Sequence, residues 1–344
     1  MRVLAADVGG TKTVAAIVDI EAGSLSLVRH RRFASDEHRS FGDLLEDFLG
    51  EAGPAPRFAG AGVAGPVRQR RVRVTKLPWS IDERVLERRF PKTSFRLVND
   101  FVANALGLPY LRPRQVRTLA RGNPERGGPI ALIGAGTGLG EGALLSVAGR
   151  YEPFASEGGH KDFSPRDDRE DRFARFLRER IGRAEWDRVL SGEGIGWIYD
   201  FLAAEGEVAE SEEVARALAA EPDRAAVITR FGLENADRLC RDTLDFFVSL
   251  YGSEAGNLAL QYRATGGVFV AGGIAPKILP AIERGAFLAS FREKPPLSEF
   301  LRGIPVRIVV EPLLGLFGAA AAAYRMAIDA TRPFSKKTLR LTTR

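Results

Sequence analysis

Val3-Leu4-Ala5-Ala6-Asp7 runs straight into Val8-Gly9-Gly10-Thr11-Lys12-Thr13, and a second apolar run, Val14 to Ile20, follows at once. Strand, glycine turn and strand make a hairpin, not the strand-to-helix step of a Rossmann or Walker loop. The arrangement returns further along. Pro129-Ile130-Ala131-Leu132-Ile133 enters Gly134-Ala135-Gly136-Thr137-Gly138-Leu139-Gly140, and Gly142 to Val147 leaves it as a strand. Two turns of the form x-Gly-Thr between apolar strands predict two similar half-molecules.

Outward from these turns, Leu44, Leu45, Phe48 and Leu49 space as one face of a helix. Phe58 to Val67 reads as a strand with glycines at 60, 62 and 65, and Phe95 to Val98 as another that ends at Asn99-Asp100. A helix starts over Phe101 to Leu106, and Pro91, Pro109 and Pro113 mark turns. A second unit begins near residue 111. Its 168–251 stretch is helix-rich, with Phe173, Phe176, Leu177 and Ile181 on one face. Gly266 to Ile274 reads as a buried strand with glycine pairs at both ends, Val306 to Val310 as a strand, and Leu316 to Ile328 as an alanine-rich final helix. Strands alternating with helices in both halves predict an α/β protein.

The chain has 344 residues, 45% hydrophobic and 27% charged, enough for two cores. That composition excludes a disordered, fibrous or disulfide-stapled protein. No apolar run approaches the ~20 residues that span a bilayer, and the first apolar stretch stops at Asp7, unlike a signal peptide. One cysteine, Cys240, allows no internal disulfide and no cysteine cluster for zinc. A reducing cytoplasm is the expected setting, with Cys240 a small buried hydrophobe. The net charge is +6, but Arg332, Lys336, Lys337, Arg340 and Arg344 cluster without an acid near the C-terminus, so the body is nearly neutral. Neither nucleic acid nor a membrane is an expected partner.

Consecutive N–H groups in a glycine turn form a nest for phosphate oxygens, because no Cβ blocks the approach and glycine reaches positive φ. One such turn is as readily a plain hairpin; three, each following an apolar strand, point to ATP. Gly9, Gly10, Gly134, Gly136 and Gly138 then face the phosphates, with Thr11, Thr13 and Thr137 adding hydroxyls. Thr265, Gly266, Gly267, Gly272 and Gly273 are expected near base and ribose. Asp7 reads either as a turn-forming residue or as a group that holds Mg2+ through water.

Asn99-Asp100 stands at the end of a strand, where open α/β sheets place ligand groups. As a bare dipeptide it is equally a turn and a helix cap. An Asn donates to and accepts from a sugar hydroxyl, and an Asp beside it accepts the proton of an attacking hydroxyl. Glu157 and His160 form E-x-x-H, which on a helix ligates metal. Gly158 and Gly159 between them disfavour helix by ~1 kcal/mol each, so a loop that contacts sugar is the preferred reading. Trp79 has a general expectation of core.

The set DVGGTKT at 7–13, GPV at 65–67, VNDFVA at 98–103, GAGTGLG at 134–140, EGGHKDFSPR at 157–166, RVLSGEG at 188–194, GNLAL at 256–260 and GGVFVAGGI at 266–274 resembles the bacterial ATP-dependent glucokinases. They belong to the sugar kinase–Hsp70–actin superfamily. The resemblance runs almost end to end, apart from the residues after about 330. It implies an actin-like (ribonuclease H-like) two-domain sugar kinase fold with a central ATP/sugar cleft. Residues 1–110 plus 311–330 would form a small α/β domain and 111–310 a large one, with 331–344 a flexible basic tail. It also implies ATP and Mg2+ as co-substrates, glucose phosphorylated at its 6-hydroxyl, a homodimer, Asp100 as catalytic base, and Asn99, Glu157 and His160 as sugar contacts. The family has a further sugar-binding Glu just before RVLSG; this chain has Asp187, one methylene shorter. The cysteine-rich stretch that accompanies a structural zinc in related sugar kinases is absent, so no zinc is expected. Alternatives on the same fold are a kinase for another hexose, a non-catalytic sugar sensor, and an actin-like or chaperone ATPase.

Overall fold

The computed structural model describes residues 1–21 and 23–331. Apart from Thr331, the expected basic tail lies outside the described residues. The chain divides into two compact units, Met1–Tyr110 together with the segment from Leu313, and Leu111–Pro312.

In the first unit, β1 (Arg2–Val8), β2 (Lys12–Glu21) and β3 (Ser24–Ala34) form an antiparallel meander. After α1 (Phe41–Ala52) comes β4 (Phe58–Val63), parallel to β1. A small ribbon of β5 (Arg71–Arg73) and β6 (Ser80–Asp82) leads through α2 (Glu83–Arg89) to β7 (Ser94–Asn99), parallel to β4. The sheet order is β3-β2-β1-β4-β7. α3 (Asp100–Gly107) follows β7 directly.

The second unit repeats that plan. After β8 (Val116–Ala120), the strands β9 (Ile130–Ala135), β10 (Leu139–Val147) and β11 (Arg150–Ala155) form the meander. Then come α4 (Asp168–Ile181), α5 (Trp186–Val189), α6 (Gly192–Glu205), α7 (Glu212–Ala220), α8 (Arg224–Leu233) and the long α9 (Arg238–Tyr262). β12 (Gly267–Ala271) lies parallel to β9. α10 (Leu279–Ile282), α11 (Ala286–Arg292) and α12 (Ser298–Arg302) precede β13 (Val306–Val309), parallel to β12. The order β11-β10-β9-β12-β13-β8 contains the first unit's pattern with β8 added at the edge. The shared order is the physical content of the two matching glycine turns. α13 (Leu314–Thr331) returns the chain to the first unit.

The cores follow the apolar periodicity. Phe41, Leu44, Leu45 and Phe48 of α1 are buried with Leu4, Ala6, Ile17 and Trp79 on one side of the first sheet. Trp79 is core, as its general expectation had it, and its Nε1 donates to the His38 carbonyl at 3.2 Å. On the other side lie α13 and α3, and glycine sets how near they come. A Cβ at Gly60 would overlap the Ala319 carbonyl, and one at Gly62 would stand 2.7 Å from the Ala103 Cβ. The alanines of α13 complete a close sheet-to-helix approach. In the second unit, Phe173, Phe176, Leu177, Phe201, Phe246 and Phe247 join a core that includes Cys240, which is fully buried.

Two expected strands are shorter in the structure by more than one residue. The one expected over Phe58–Val67 stops at Val63, because Gly65 turns to φ +142 against the Arg73 carbonyl and Pro66 follows. That expected over Gly266–Ile274 spans Gly267–Ala271, ending where Gly272 adopts φ +82. Five strands went unread: β3, β8 and β11, each in part exposed, and the three-residue strands β5 and β6.

Gly60→Ala forces a methyl group into the α13 backbone and is expected to destabilise the first unit by about 1–3 kcal/mol, as overpacking does. Gly50→Ala, in α1 with open space around it, is expected to stabilise by about 0.5–1 kcal/mol. Urea unfolding of both variants checks the contrast.

Candidate active site

Asp7 occupies the penultimate position of β1, opposite Gly62 in β4, and β4's Val63 pairs with Asn99 at the end of β7. The register therefore brings Asp7, the Gly9–Lys12 turn, Asn99 and Asp100 to one edge of the sheet, the carboxyl edge of its parallel strands. Gly9 N donates to the Lys12 carbonyl at 3.0 Å, closing the turn. Gly10 fits because a Cβ there would stand 2.7 Å from the Thr75 carbonyl. Neither glycine has a left-handed φ, so the missing Cβ, not conformational freedom, is what the turn uses. Thr11 is exposed at the tip. Thr13 corrects the expectation placed on it. Its side chain is fully buried, its hydroxyl is 2.9 Å from Ser35 Oγ, and Ser35 Oγ donates to the Gly9 carbonyl at 3.0 Å. Thr13 braces the turn from behind and presents no hydroxyl to a ligand.

Asp7's carboxyl group is pushed up to about 6, first by burial, then by the negative charge of Asp100, against the opposing pull of Lys12. The first turn of α13 lies against it. Gly315 would place a Cβ 2.9 Å from Asp7 Oδ2, so glycine alone lets that helix start there, with its N–H end toward the carboxylate. Gly315 was not singled out in the sequence; a glycine one residue inside an alanine-rich helix was the available signal.

Asn99, not Asp100, is the N-cap of α3. Its Oδ1 accepts from Phe101 N at 2.9 Å and Val102 N at 3.3 Å, and its Nδ2 donates to the Gly65 carbonyl at 3.2 Å. One amide hydrogen of Asn99 is left over from these bonds. Asp100 is the first helical residue, partly exposed, its Oδ1 accepting from Phe101 N at 2.8 Å.

In the second unit the β9–β10 turn is braced from three sides. Gly136 N donates to the Gly138 carbonyl at 2.9 Å, Gly192 N at the start of α6 to the Gly136 carbonyl at 3.0 Å, and Ile274 N to the Ala135 carbonyl at 3.2 Å. Thr137 is exposed at the tip, with Gly136 and Gly138 beside it. Gly134 belongs to the strand, paired with Gly140 and Ala271. Gly272 lies next to this turn, where a Cβ would overlap the Ala135 carbonyl, and Gly273 beside it has open space. Thr265, Gly266 and Gly267 do not belong there. They lead into β12, which begins at Gly267, beside Gly128–Ile130, with Gly266 N donating to the Pro129 carbonyl at 2.9 Å. Gly267 and Gly272 are five residues apart along a strand, ~16 Å at ~3.3 Å per residue. Of the two glycine pairs expected near a nucleotide, the strand puts 272–273 at the turn and the other at its far end.

Glu157 and His160 stand on a single 3-10 turn, Gly158–His160, not on an α-helix. Both are exposed. Ser156 Oγ accepts from Gly158 N at 2.8 Å. The two glycines are steric necessities: a Cβ at Gly158 would overlap Glu141 Oε2, and one at Gly159 the Leu139 carbonyl. His160 Nδ1 lies 3.4 Å from Glu185 Oε2, and Asp187 Oδ1 accepts from Leu139 N at 2.7 Å while lying against Gly138. One ligand atom from each of His160, Glu185 and Asp187 falls within 4.8 Å of the others. Arg183 is 3.1 Å from Glu185 Oε2, and Leu139 N engages Asp187 Oδ1, so hydrogen bonds and ion pairs already draw on one oxygen of each of these carboxylates.

A family model described as Glucokinase matches residues 4–326. The chain belongs to the glucokinase family. A curated glucokinase of Nostoc punctiforme is 37% identical over 337 residues, covering 94% of this chain and 99% of that one. A crystal structure of glucokinase from an Antarctic psychrotroph superposes with TM-score 0.84 at 29% identity, over 94% of this chain and 99% of that chain. A ROK family glucokinase from Streptomyces griseus, solved with glucose and AMPPNP, is similar in fold at TM-score 0.62 and 20% identity, over 94% of this chain and 100% of that chain. The fold is accordingly the actin-like α/β fold of sugar kinases, and the activity is ATP-dependent phosphoryl transfer to glucose. Among the described residues no helix is long and apolar enough to cross a membrane.

Three groups of this glucokinase-family chain escaped sequence reasoning: Glu141, Lys161 and Glu254. Glu141 and Glu254 are charges inside apolar stretches of β10 and α9, and that misfit was the signal.

Gly315→Ala is expected to lower kcat by ~10-fold, equivalent to ~1.4 kcal/mol, by displacing the Asp7 carboxylate. ADP release at saturating ATP and glucose measures it.

Proposed function

We propose that Asp100 is the general base that carries the reaction to the 6-hydroxyl of glucose. In the first unit Asn99 offers its remaining amide hydrogen to a sugar hydroxyl. In the second, Glu157 and His160 bind sugar hydroxyls, and Asp187 contributes its Oδ2. The sugar oxygen attacks the γ-phosphorus, the bond from phosphorus to the ADP oxygen breaks, and the hydroxyl proton passes to Asp100. The observation that carries this reading is that the register of β1, β4 and β7 brings Asp100 to the same sheet edge as Asp7 and the Gly9–Lys12 turn.

The nucleotide phosphates are assigned to the N–H groups of Gly9, Gly10 and Thr11 and of Gly136, Thr137 and Gly138, with the Thr11 and Thr137 hydroxyls. Gly272 and Gly273 are assigned to the rest of the nucleotide. The residues fit Mg2+: Asp7 is a hard oxygen donor, held beside a second acid, whose burial leaves its charge poorly compensated. When bound, that ion neutralises charge on the phosphate oxygens; Asp7 would hold it through water. Cytoplasmic location and a homodimer complete the reading, carried over from the family resemblance, and size-exclusion chromatography tests the second.

Asp100→Asn is expected to drop kcat by ~100-fold or more while glucose affinity stays within a few-fold, since the amide keeps the shape and loses the basic oxygen. Steady-state ADP release with glucose, and with fructose, mannose and N-acetylglucosamine in parallel, measures this and the acceptor together. Retained turnover would remove Asp100 from the role of base.

A further inference from the structure

Behind the Gly158–His160 turn, three ionisable groups meet. Glu141 on β10 is 1% exposed and Glu254 on α9 is fully buried. Lys161, the residue after His160, reaches between them: its Nζ is 2.7 Å from Glu254 Oε1 and 3.0 Å from Glu141 Oε2. Asn257 Nδ2 donates to the other Glu254 oxygen at 2.7 Å. Glu141 has no hydrogen-bond donor aligned on either oxygen, so the Lys161 ammonium is its one close compensation among the described residues. The turn rests on this group. Gly158 lies against the Glu141 carboxylate closely enough to exclude a Cβ. Lys161 N donates to the Gly158 carbonyl at 3.0 Å, and the Lys161 carbonyl accepts from Trp186 N at 3.1 Å, one residue before Asp187.

We propose that Lys161, Glu141 and Glu254 form an ionic latch, its two carboxylates buried and its ammonium partly exposed, that positions the Glu157–His160 segment and Asp187 for the acceptor sugar, making sugar affinity depend on residues that never touch it. This rests on the reading that the segment binds glucose. Removing one partner of a buried ion group leaves the remaining charges uncompensated, whereas removing all of them together does not. Without the ammonium, two carboxylates face each other under Gly158, and the backbone that carries Glu157 and His160 gives way before the sheet or α9 does.

The latch also titrates. Burial, reinforced by the charge of Glu254 and opposed by Lys161, pushes Glu141 up to about 7. Facing Glu141 are Glu254 from α9 and Lys161 from the end of the turn. Behind Glu254, the Lys294 ammonium donates to Ser253 Oγ at 2.9 Å and feels both Glu254 and Glu170. Below neutrality one negative charge balances Lys161. Above it a second appears, so the latch loosens as pH rises and KM for glucose climbs with it.

Lys161→Met is expected to raise KM for glucose ~10-fold, with kcat and KM for ATP within about twofold, the pattern of lost ground-state binding. The triple variant Glu141→Gln, Lys161→Met, Glu254→Gln is expected to return KM to within about threefold of the parent, because no buried charge is then left unpaired. Mere destabilisation lowers the active fraction and leaves KM unchanged. Glu141→Gln alone, which keeps shape and volume, should flatten the rise in glucose KM between pH 6.5 and 8.5. It also carries the test if Lys161→Met fails to fold. His160→Ala, measured in parallel, separates the two layers. A raised KM in His160→Ala with an unchanged KM in Lys161→Met overturns the latch, as does a pH profile unaltered in Glu141→Gln. An unchanged KM in both His160→Ala and Lys161→Met overturns the sugar reading of the segment itself.

Discussion

The absence of a Cβ at a few backbone crossings is the constraint on which both units depend. In the first, Gly60 and Gly62 let α13 and α3 lie directly on β4, and Gly315 lets the start of α13 meet Asp7. In the second, Gly158 and Gly159 let the Gly158–His160 turn sit on β10, and Gly272 lets the loop after β12 touch the β9–β10 turn. A methyl group at any of these points meets backbone or a buried carboxylate, which cannot swing aside as a flexible side chain would. The glycines are thus less a source of freedom than a means of bringing rigid elements close enough for short polar groups to act.

That closeness has an electrostatic consequence. Each unit holds a carboxyl group raised by burial and by a second acid: Asp7 with Asp100, Glu141 with Glu254. The compensation differs. Asp7 has a helix start against it and the distant pull of Lys12, which leaves it suited to a cation brought by the nucleotide. Glu141 has a resident ammonium, which suits a group that holds a loop in place. A buried acid with a fixed partner is a structural joint, and one without is a site.

Much of the site could be read from residue order because the turns and dipeptides that bear it are local. The x-Gly-Thr turns, Asn99-Asp100 and E-G-G-H are contiguous, and each appears in the structure as the loop or strand end expected. Errors came where location along a strand mattered. Thr265, Gly266 and Gly267 look like Gly272 and Gly273 in sequence, but a parallel strand has two distinct ends and only one adjoins the β9–β10 turn. Thr13 looks like Thr11, yet Thr11 stands at the exposed tip of the turn, whereas Thr13 is already inside β2 with its hydroxyl against Ser35. β3 went unread because its arginines hide the alternation. Arg29 and Arg31 pair with Glu51 and Asp47 of α1, so this edge strand is held by side chains that composition marks as solvent-facing.

By itself the sequence determined the types of the most apolar elements, the duplication of the strand–turn–strand plan and the chemical identity of the groups at the turns, since periodicity and glycine punctuation act over a few residues. Tertiary structure alone decided which ends of the strands share an edge, and which buried charges neutralise one another. Glu141, Lys161 and Glu254 are separated by up to 113 positions, with nothing in their neighbours that announces the pairing. Ion pairing in a core is set by distances that exist only after β10, the loop and α9 have packed, and local sequence carries no record of those distances.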